Sequence, residues 1–198
     1  MSKNILAITG SYRKEGIIHQ AVEIVVSALE QRMQTVEVLD LLDYHVEFCT
    51  NCRQCAQQPG DDPGKCHLAD DMTLIIAKIE QADALLLAAP VNFGAITALY
   101  KRFMERLICY AYWPYEKEYP TFRKKSHNKP AILITSTAMP GTMARFTTNA
   151  MHSLNFTAKT VGTKPVEKIY IGRAAHSTDM ILPQSIKKKL QAAAKKMA

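Results

Sequence analysis

The stretch Ile5-Leu6-Ala7-Ile8-Thr9-Gly10-Ser11-Tyr12-Arg13-Lys14-Glu15-Gly16 decides the fold. It starts as an uninterrupted apolar run and breaks at a glycine followed by a polar turn. A strand apolar at successive residues must be covered on both faces, which is the pattern of a parallel sheet. Beyond the turn, apolar residues recur at Ile18, Val22, Val25, Leu29 and Met33, one face of a helix. The polar turn therefore joins the carboxyl end of a strand to the amino end of a helix, where free backbone N–H groups and the positive dipole end suit a phosphate. Ser11 adds a hydroxyl, Arg13 a forked charged donor, and Gly16 a close backbone approach. An ordinary polar βα turn has the same appearance, so this loop alone leaves phosphate binding open.

Working outward, Val36 to Leu39, Ala84 to Ala89, Ala131 to Thr135 and Val166 to Ile171 supply four more strands. Helices are expected from Asp70 or Asp71 to about Gln81, from Thr97 to Cys109, from Met143 to Leu154, and after Pro183 with the stripe Ile186, Leu190, Ala193 and Met197. Asp40 to Ala69 and the aromatic-rich Tyr110 to Asn128 read as loops. The alternation predicts one α/β domain over residues 1–198, a doubly wound five-stranded parallel sheet of order 2-1-3-4-5 with helices on both faces. Ligands of such sheets sit beyond the carboxyl ends of the strands, at the switch point. That directs attention to Pro90-Val91-Asn92-Phe93-Gly94 after strand three and to Ser136 and Thr137 after strand four.

The chain has 198 residues, 47% hydrophobic and 22% charged, as globular domains do. No apolar run approaches the roughly 20 residues of a membrane span, and no basic segment with a cleavage site precedes the first strand. A cytoplasmic protein without a membrane partner is the expectation. The net charge of +7 arises from Lys159 onward, where nine basic residues face two acidic ones. No nucleic-acid motif or aromatic interleaving accompanies it, so the solvated face of a terminal helix is expected and nucleic acid is not.

Four of five cysteines, Cys49, Cys52, Cys55 and Cys66, share one segment. The first three stand two residues apart, a spacing that lets three thiolates face one iron–sulfur cube with Cys66 as the fourth ligand. Four thiolates also satisfy tetrahedral zinc, and free thiols in a loop remain a third reading. Cys109, alone on a helix, reads as core.

Three segments together resemble the NAD(P)H-dependent FMN reductases, most closely their iron–sulfur flavoprotein branch. Gly10 to Ile18 is similar to that family's Gly-Ser-Pro-Arg-Lys-x-Gly-Asn-Thr loop. Ala82-Asp83-Ala84 through Pro90-Val91-Asn92-Phe93-Gly94 resembles its Ala-Asp-Ala strand ending in Pro-Val-Tyr-Phe-Gly. Lys101, Phe103 and Arg106 match the next helix, with Glu105 where Asp is usual, and the cysteine run followed by Asp70-Asp71-Met72 lies between. Past strand four only the general layout matches. Ile17 and Ile18 replace the family's phosphate-binding Asn and Thr, Asn92 replaces a Tyr, and the interval from Cys55 to Cys66 is long.

The resemblance implies a flavodoxin-like fold. It implies FMN held by Ser11, Arg13, Gly16, Ile17, Ile18, Pro90 to Gly94, Ser136 and Thr137, with only backbone donors at Ile17 and Ile18. NAD(P)H would donate electrons to the flavin, and a flavin, quinone or other small acceptor would receive them. A homodimer is implied as well, in which Tyr110, Tyr112, Trp113, Tyr115 and Tyr119 form an interface or a lid over the flavin. With FMN doing the chemistry, no catalytic nucleophile or base is required. The alternatives are an electron carrier with a [4Fe–4S] cluster on the four cysteines, placed near the flavin, and a flavin-free redox or metal sensor.

Overall fold

The computed structural model describes residues 2–175 and 180–198. Five parallel strands, β1 (Asn4–Thr9), β2 (Thr35–Asp40), β3 (Ala84–Ala88), β4 (Lys129–Ser136) and β5 (Thr163–Ile171), form one sheet in the order β2-β1-β3-β4-β5. This is the expected doubly wound order. Successive residues of β1 alternate between two cores. Ile5 and Ala7 pack under α1 (Ile17–Glu30) and α6 (Gln184–Ala194), while Leu6 and Ile8 pack on the other face under α2 (Met72–Gln81), α3 (Ala98–Arg106) and α5 (Ala150–Thr160). Burial of both faces is the physical reason that β1 and β3 are apolar without interruption. β5 is an edge strand. Its Pro165 falls where the register with β4 shifts by one residue, a place where a missing N–H is tolerated.

Three local expectations need correction. Met33 lies beyond α1 in the left-handed region and is exposed, because the chain turns toward β2 there. The helix expected over 143–154 is two helices, α4 (Gly141–Thr147) and α5, separated at Thr148 and Asn149, where the Asn149 N–H donates to the Gly94 carbonyl across the fold (3.0 Å). The long segment after α3 is not a bare loop: Ala111–Tyr112 pairs antiparallel with Thr121–Phe122. Among the described residues no helix is long and apolar enough to cross a membrane.

Two arginines organise the cysteine segment. Arg106, at the end of α3, forms a buried ion pair with Asp70 and donates to the Glu47 carbonyl (2.9 Å). Asp70 also accepts from the Glu47 and Met72 N–H groups, at 2.7 and 3.1 Å, so one carboxylate ties the entry and the exit of the segment together and caps α2. Arg123 fills the middle. Its buried guanidinium donates to the carbonyls of Cys109 (3.0 Å), Gly60 (3.0 Å), Gln58 (2.8 Å) and Cys55 (3.3 Å). Gly64 closes the other side, where a Cβ would stand 1.7 Å from the Cys55 carbonyl oxygen, so only glycine fits. The stretch between Cys55 and Cys66, part of the segment read as a loop, is thus packed in place.

Burial opposes the Asp70 charge, but the hydrogen bonds from Arg106 and the two amides outweigh it and hold the carboxyl below its ordinary range. Its contribution is complete above the unfolded carboxyl value near 3.9 and is lost as pH falls through the lower folded value. Arg106→Ala should cost about 3–5 kcal/mol, because it leaves the buried carboxylate unpaired. Thermal unfolding followed from pH 7 to pH 2 should show Asp70→Asn losing less stability on acidification than the parent chain. Equal acid sensitivity in the two proteins would contradict this role of Asp70.

Candidate functional site

At the carboxyl ends of β1, β3 and β4 the structure opens a cavity of about 350 Å³, within the size range of small-molecule sites. The turn after β1 gives it Ser11, Tyr12, Arg13, Gly16, Ile17 and Ile18; the turn after β3 gives Pro90, Val91 and Asn92; the turn after β4 gives Ser136, Thr137 and Ala138. Gly10 fixes this corner. Its N–H donates to Ala88 (2.9 Å), its carbonyl accepts from the Thr97 hydroxyl (2.6 Å), and a Cβ on it would sit 2.7 Å from that of Tyr100. The first turn is thereby pressed onto α3. Thr97 in turn caps α3 by accepting from the Tyr100 N–H (3.2 Å).

Gly16 begins α1 in an extended conformation and offers no side-chain cap, so the N–H groups of the first helical turn keep their hydrogen-bonding capacity for a ligand. Ile17 and Ile18 are buried in the core under α1, and they meet the cavity at the helix start. The Ser11 hydroxyl turns back on Arg13, accepting from its N–H (3.2 Å) and approaching its carbonyl (3.3 Å), which tightens the loop. The Arg13 side chain is exposed and projects from the same turn.

Phe93 and Gly94 do not line the cavity. They form the tip of a hairpin whose arms are Val91–Asn92 and Ala95–Ile96, both with positive φ (48° and 79°), the geometry of a tight two-residue turn. The twist of that turn carries the Phe93 ring fully into solvent. Conversely, Thr97, Ala174, Ala175 and Met180 line the cavity without having been singled out from sequence. Thr97 carried a signal, being a good capping residue at a helix start. Ala174 and Ala175 follow β5 on the same edge of the sheet, so topology alone would have pointed to them.

The cysteines occupy a different place. Among the described residues none lines the cavity, and no three His, Cys, Asp or Glu side chains are grouped so as to hold a metal ion. Cys55 is buried; Cys49, Cys52 and Cys66 are half-buried. Burial and then the nearby Cys66, Cys49 and Cys52 push the Cys55 thiol up to about 11, and burial pushes Cys109 up to about 12. The Cys52 thiol is shifted the other way, chiefly by hydrogen bonding with the Gln54 backbone. Its sulfur lies 3.7 Å from His67 Nδ1. Asn51 and Arg53, on either side of Cys52, both adopt left-handed backbone, at φ 53° and 57°. The aromatic insertion packs against this cysteine loop. Arg53 lies against the rings of Trp113 (4.5 Å) and Tyr115 (5.1 Å), the Trp113 backbone N–H donates to the Ala56 carbonyl (2.8 Å), and the Tyr115 hydroxyl donates to the Cys52 carbonyl (3.0 Å).

Solved structures with this architecture include an NAD(P)H:quinone oxidoreductase from Methanothermobacter marburgensis, at 19% identity and a TM-score of 0.64, covering 99% of this chain and 94% of that one. A flavodoxin from the domain Archaea superposes with a TM-score of 0.56 at 8% identity, covering 98% of this chain and 95% of that one. At such identities the likeness establishes the flavodoxin-like fold. By sequence, the chain is 31% identical over 102 residues to an iron–sulfur flavoprotein of Methanocaldococcus jannaschii, covering 52% of this chain and 50% of that protein. The chain spans about half the length of the curated relatives it matches. The model of the NADPH-dependent FMN reductases matches residues 3–171, from the first strand of the sheet to the last, and the chain belongs to that family.

Proposed function

We propose that this chain is an FMN-dependent oxidoreductase, acting as a single flavodoxin-like domain in the cytoplasm, that takes electrons from NAD(P)H and passes them to a flavin, quinone or other small acceptor. One observation carries the reading: an uncapped helix start and Arg13 meet, in one cavity, the apolar and polar turns of β3 and β4. The donor set fits FMN. Backbone N–H groups of α1 and the Arg13 guanidinium match a single phosphate, which favours FMN over FAD. Pro90 and Val91 offer a flat apolar wall, and Asn92, Ser136 and Thr137 offer polar groups for a ring edge or a hydroxylated chain. Bound FMN would supply hydride acceptance and one- or two-electron delivery. The residues of the chain bind and orient it, and the walls of the cavity exclude water from one side.

A homodimer belongs to this reading. Phe93 and Phe146 are almost wholly exposed, and Met143 half so, which leaves apolar surface on the side of the molecule that carries the cavity.

The names of the relatives and the geometry around Cys52 favour a second reading, an electron carrier with a [4Fe–4S] cluster on Cys49, Cys52, Cys55 and Cys66. Left-handed backbone costs about 1–2 kcal/mol at a residue such as arginine, and Arg53 adopts it beside the middle cysteine of the run. The other three thiols lie near enough to influence Cys55. Cluster assembly requires the sulfurs to close in from their present positions.

Fluorescence titration should show Arg13→Ala binding FMN more weakly by about 1.5–3 kcal/mol, the worth of a charge-assisted hydrogen bond. Unchanged affinity would remove the first turn from the site, and a monomeric mass with flavin bound would contradict the dimer. Iron and sulfide analysis of anaerobically purified protein decides the second reading. A cluster should appear as stoichiometric iron and sulfide that Cys52→Ser abolishes without loss of flavin. Metal-free protein with full reductase activity leaves a plain FMN reductase, and protein that binds neither leaves a thiol sensor.

A further inference from the structure

A second cavity, of about 230 Å³, lies between the end of α3, α5 and the aromatic insertion. Among the described residues it shares none with the lining of the first. α5 runs back across the sheet. It starts beside Asn149, which bonds Gly94, and ends at Thr160, three residues before β5 begins. The second cavity takes Phe156, Thr157 and Thr160 from the far half of that helix. It therefore lies toward the amino ends of the strands, away from the turns that build the first.

Its walls are apolar and aromatic. Leu107 and Ile108, just past α3, face Phe156 of α5 and Trp113 and Phe122 of the insertion. The Phe122 and Phe156 rings meet edge to face at 5.8 Å, and both stay partly exposed, so bare aromatic surface remains where the two elements meet. Trp113 is held in place. Its indole N–H donates to the Lys117 carbonyl (2.9 Å), and the Arg53 guanidinium lies over its ring. Among the described residues of the lining, Glu105 alone is charged, and its carboxylate pairs with Lys101.

This apolar wall contains buried hydroxyls without a bond. Thr157 and Thr160 stand one helical turn apart, and among the described residues neither hydroxyl has a hydrogen-bond partner. Thr157 has the Tyr100 hydroxyl beside it, itself buried and unbonded. Thr160, only 5% exposed, closes the helix. An unbonded buried hydroxyl is unfavourable, and rotation about χ1 exchanges it with the methyl group of the same side chain. An oxygen atom brought into the cavity would restore the missing bond.

We infer that this second cavity binds a small, uncharged aromatic molecule carrying one hydroxyl or carbonyl oxygen, with the Thr160 hydroxyl as its hydrogen-bond partner. An apolar cavity of about 150 Å³ accommodates benzene, so this one has room for two fused rings. Trp113, Phe122 and Phe156 favour a flat apolar body. The Glu105 carboxylate disfavours an anion. The site is independent of the flavin reading, because its residues come from other parts of the fold.

The test is calorimetric titration of the full chain with 1-naphthol, naphthalene and 1-naphthoate at pH 7, with and without FMN. 1-Naphthol should bind about fivefold more tightly than naphthalene, the factor carried by one hydrogen bond. 1-Naphthoate should bind weakest, and FMN should displace none of them. Thr160→Val keeps the shape of the side chain and removes the hydroxyl. It should erase the advantage of 1-naphthol, leave naphthalene and FMN binding unchanged, and leave the ligand-free chain at least as resistant to heat as the parent. Phe156→Ala should weaken 1-naphthol and naphthalene alike. Failure of both to bind, equal binding of the two, displacement by FMN, or an advantage that survives Thr160→Val overturns the inference. So does a Phe156→Glu chain that sediments as a monomer where the parent is a dimer, because the face would then be a contact between two copies.

Discussion

The burial of Ile17 and Ile18 governs what the first cavity can offer. Both side chains belong to the core between α1 and the sheet, and moving either toward a ligand would expose apolar surface worth about 1.5–3 kcal/mol per side chain. The first turn of α1 therefore presents its backbone and little else. On the proposed reading, the start of α1 offers a phosphate its main-chain N–H groups, Arg13, and a Ser11 hydroxyl already engaged by its own loop. The arrangement works only if the helix start is held at a fixed distance from β1. Gly10 does this by allowing Tyr100 against its backbone while Thr97 bonds its carbonyl.

The same sheet supports a second structure that shares almost nothing with the cavity. The segment between β2 and α2 is closed at its ends by Asp70 and Arg106 and filled by Arg123, which takes four backbone carbonyls and no carboxylate. A buried guanidinium used this way satisfies loop carbonyls that a short, irregular segment cannot pair for itself. The aromatic residues of the insertion complete the cover. Removing Arg123 would take a donor from all four carbonyls, of which that of Cys109 would keep the Gly64 N–H (2.9 Å).

Much of the fold could be read in advance because its signals are local. Continuous apolar runs mark β1 and β3, the stripe Ile18, Val22, Val25 and Leu29 marks α1, and handedness leaves few strand orders. The cavity turns at Ser11, Pro90 and Ser136 followed from topology. What escaped was set by long-range contact. Nothing near Arg123 in sequence reveals that it will meet Cys55 and Gly60, and nothing near Tyr115 points to the Cys52 carbonyl. Phe93, expected at the flavin from the residues around it that match the family, sits at an exposed hairpin tip with positive φ and does not line the cavity.

The account stands or falls on whether the start of α1 is a phosphate site facing a flavin ring. Titration of the flavin-free protein with FMN, riboflavin and FAD, followed by flavin fluorescence, addresses this directly. FMN should bind at one per chain. Riboflavin, which lacks the phosphate, should bind at least tenfold more weakly, a difference of about 1.4 kcal/mol or more, and FAD should also fall below FMN. Riboflavin binding as tightly as FMN, or no flavin binding at all, would contradict the account.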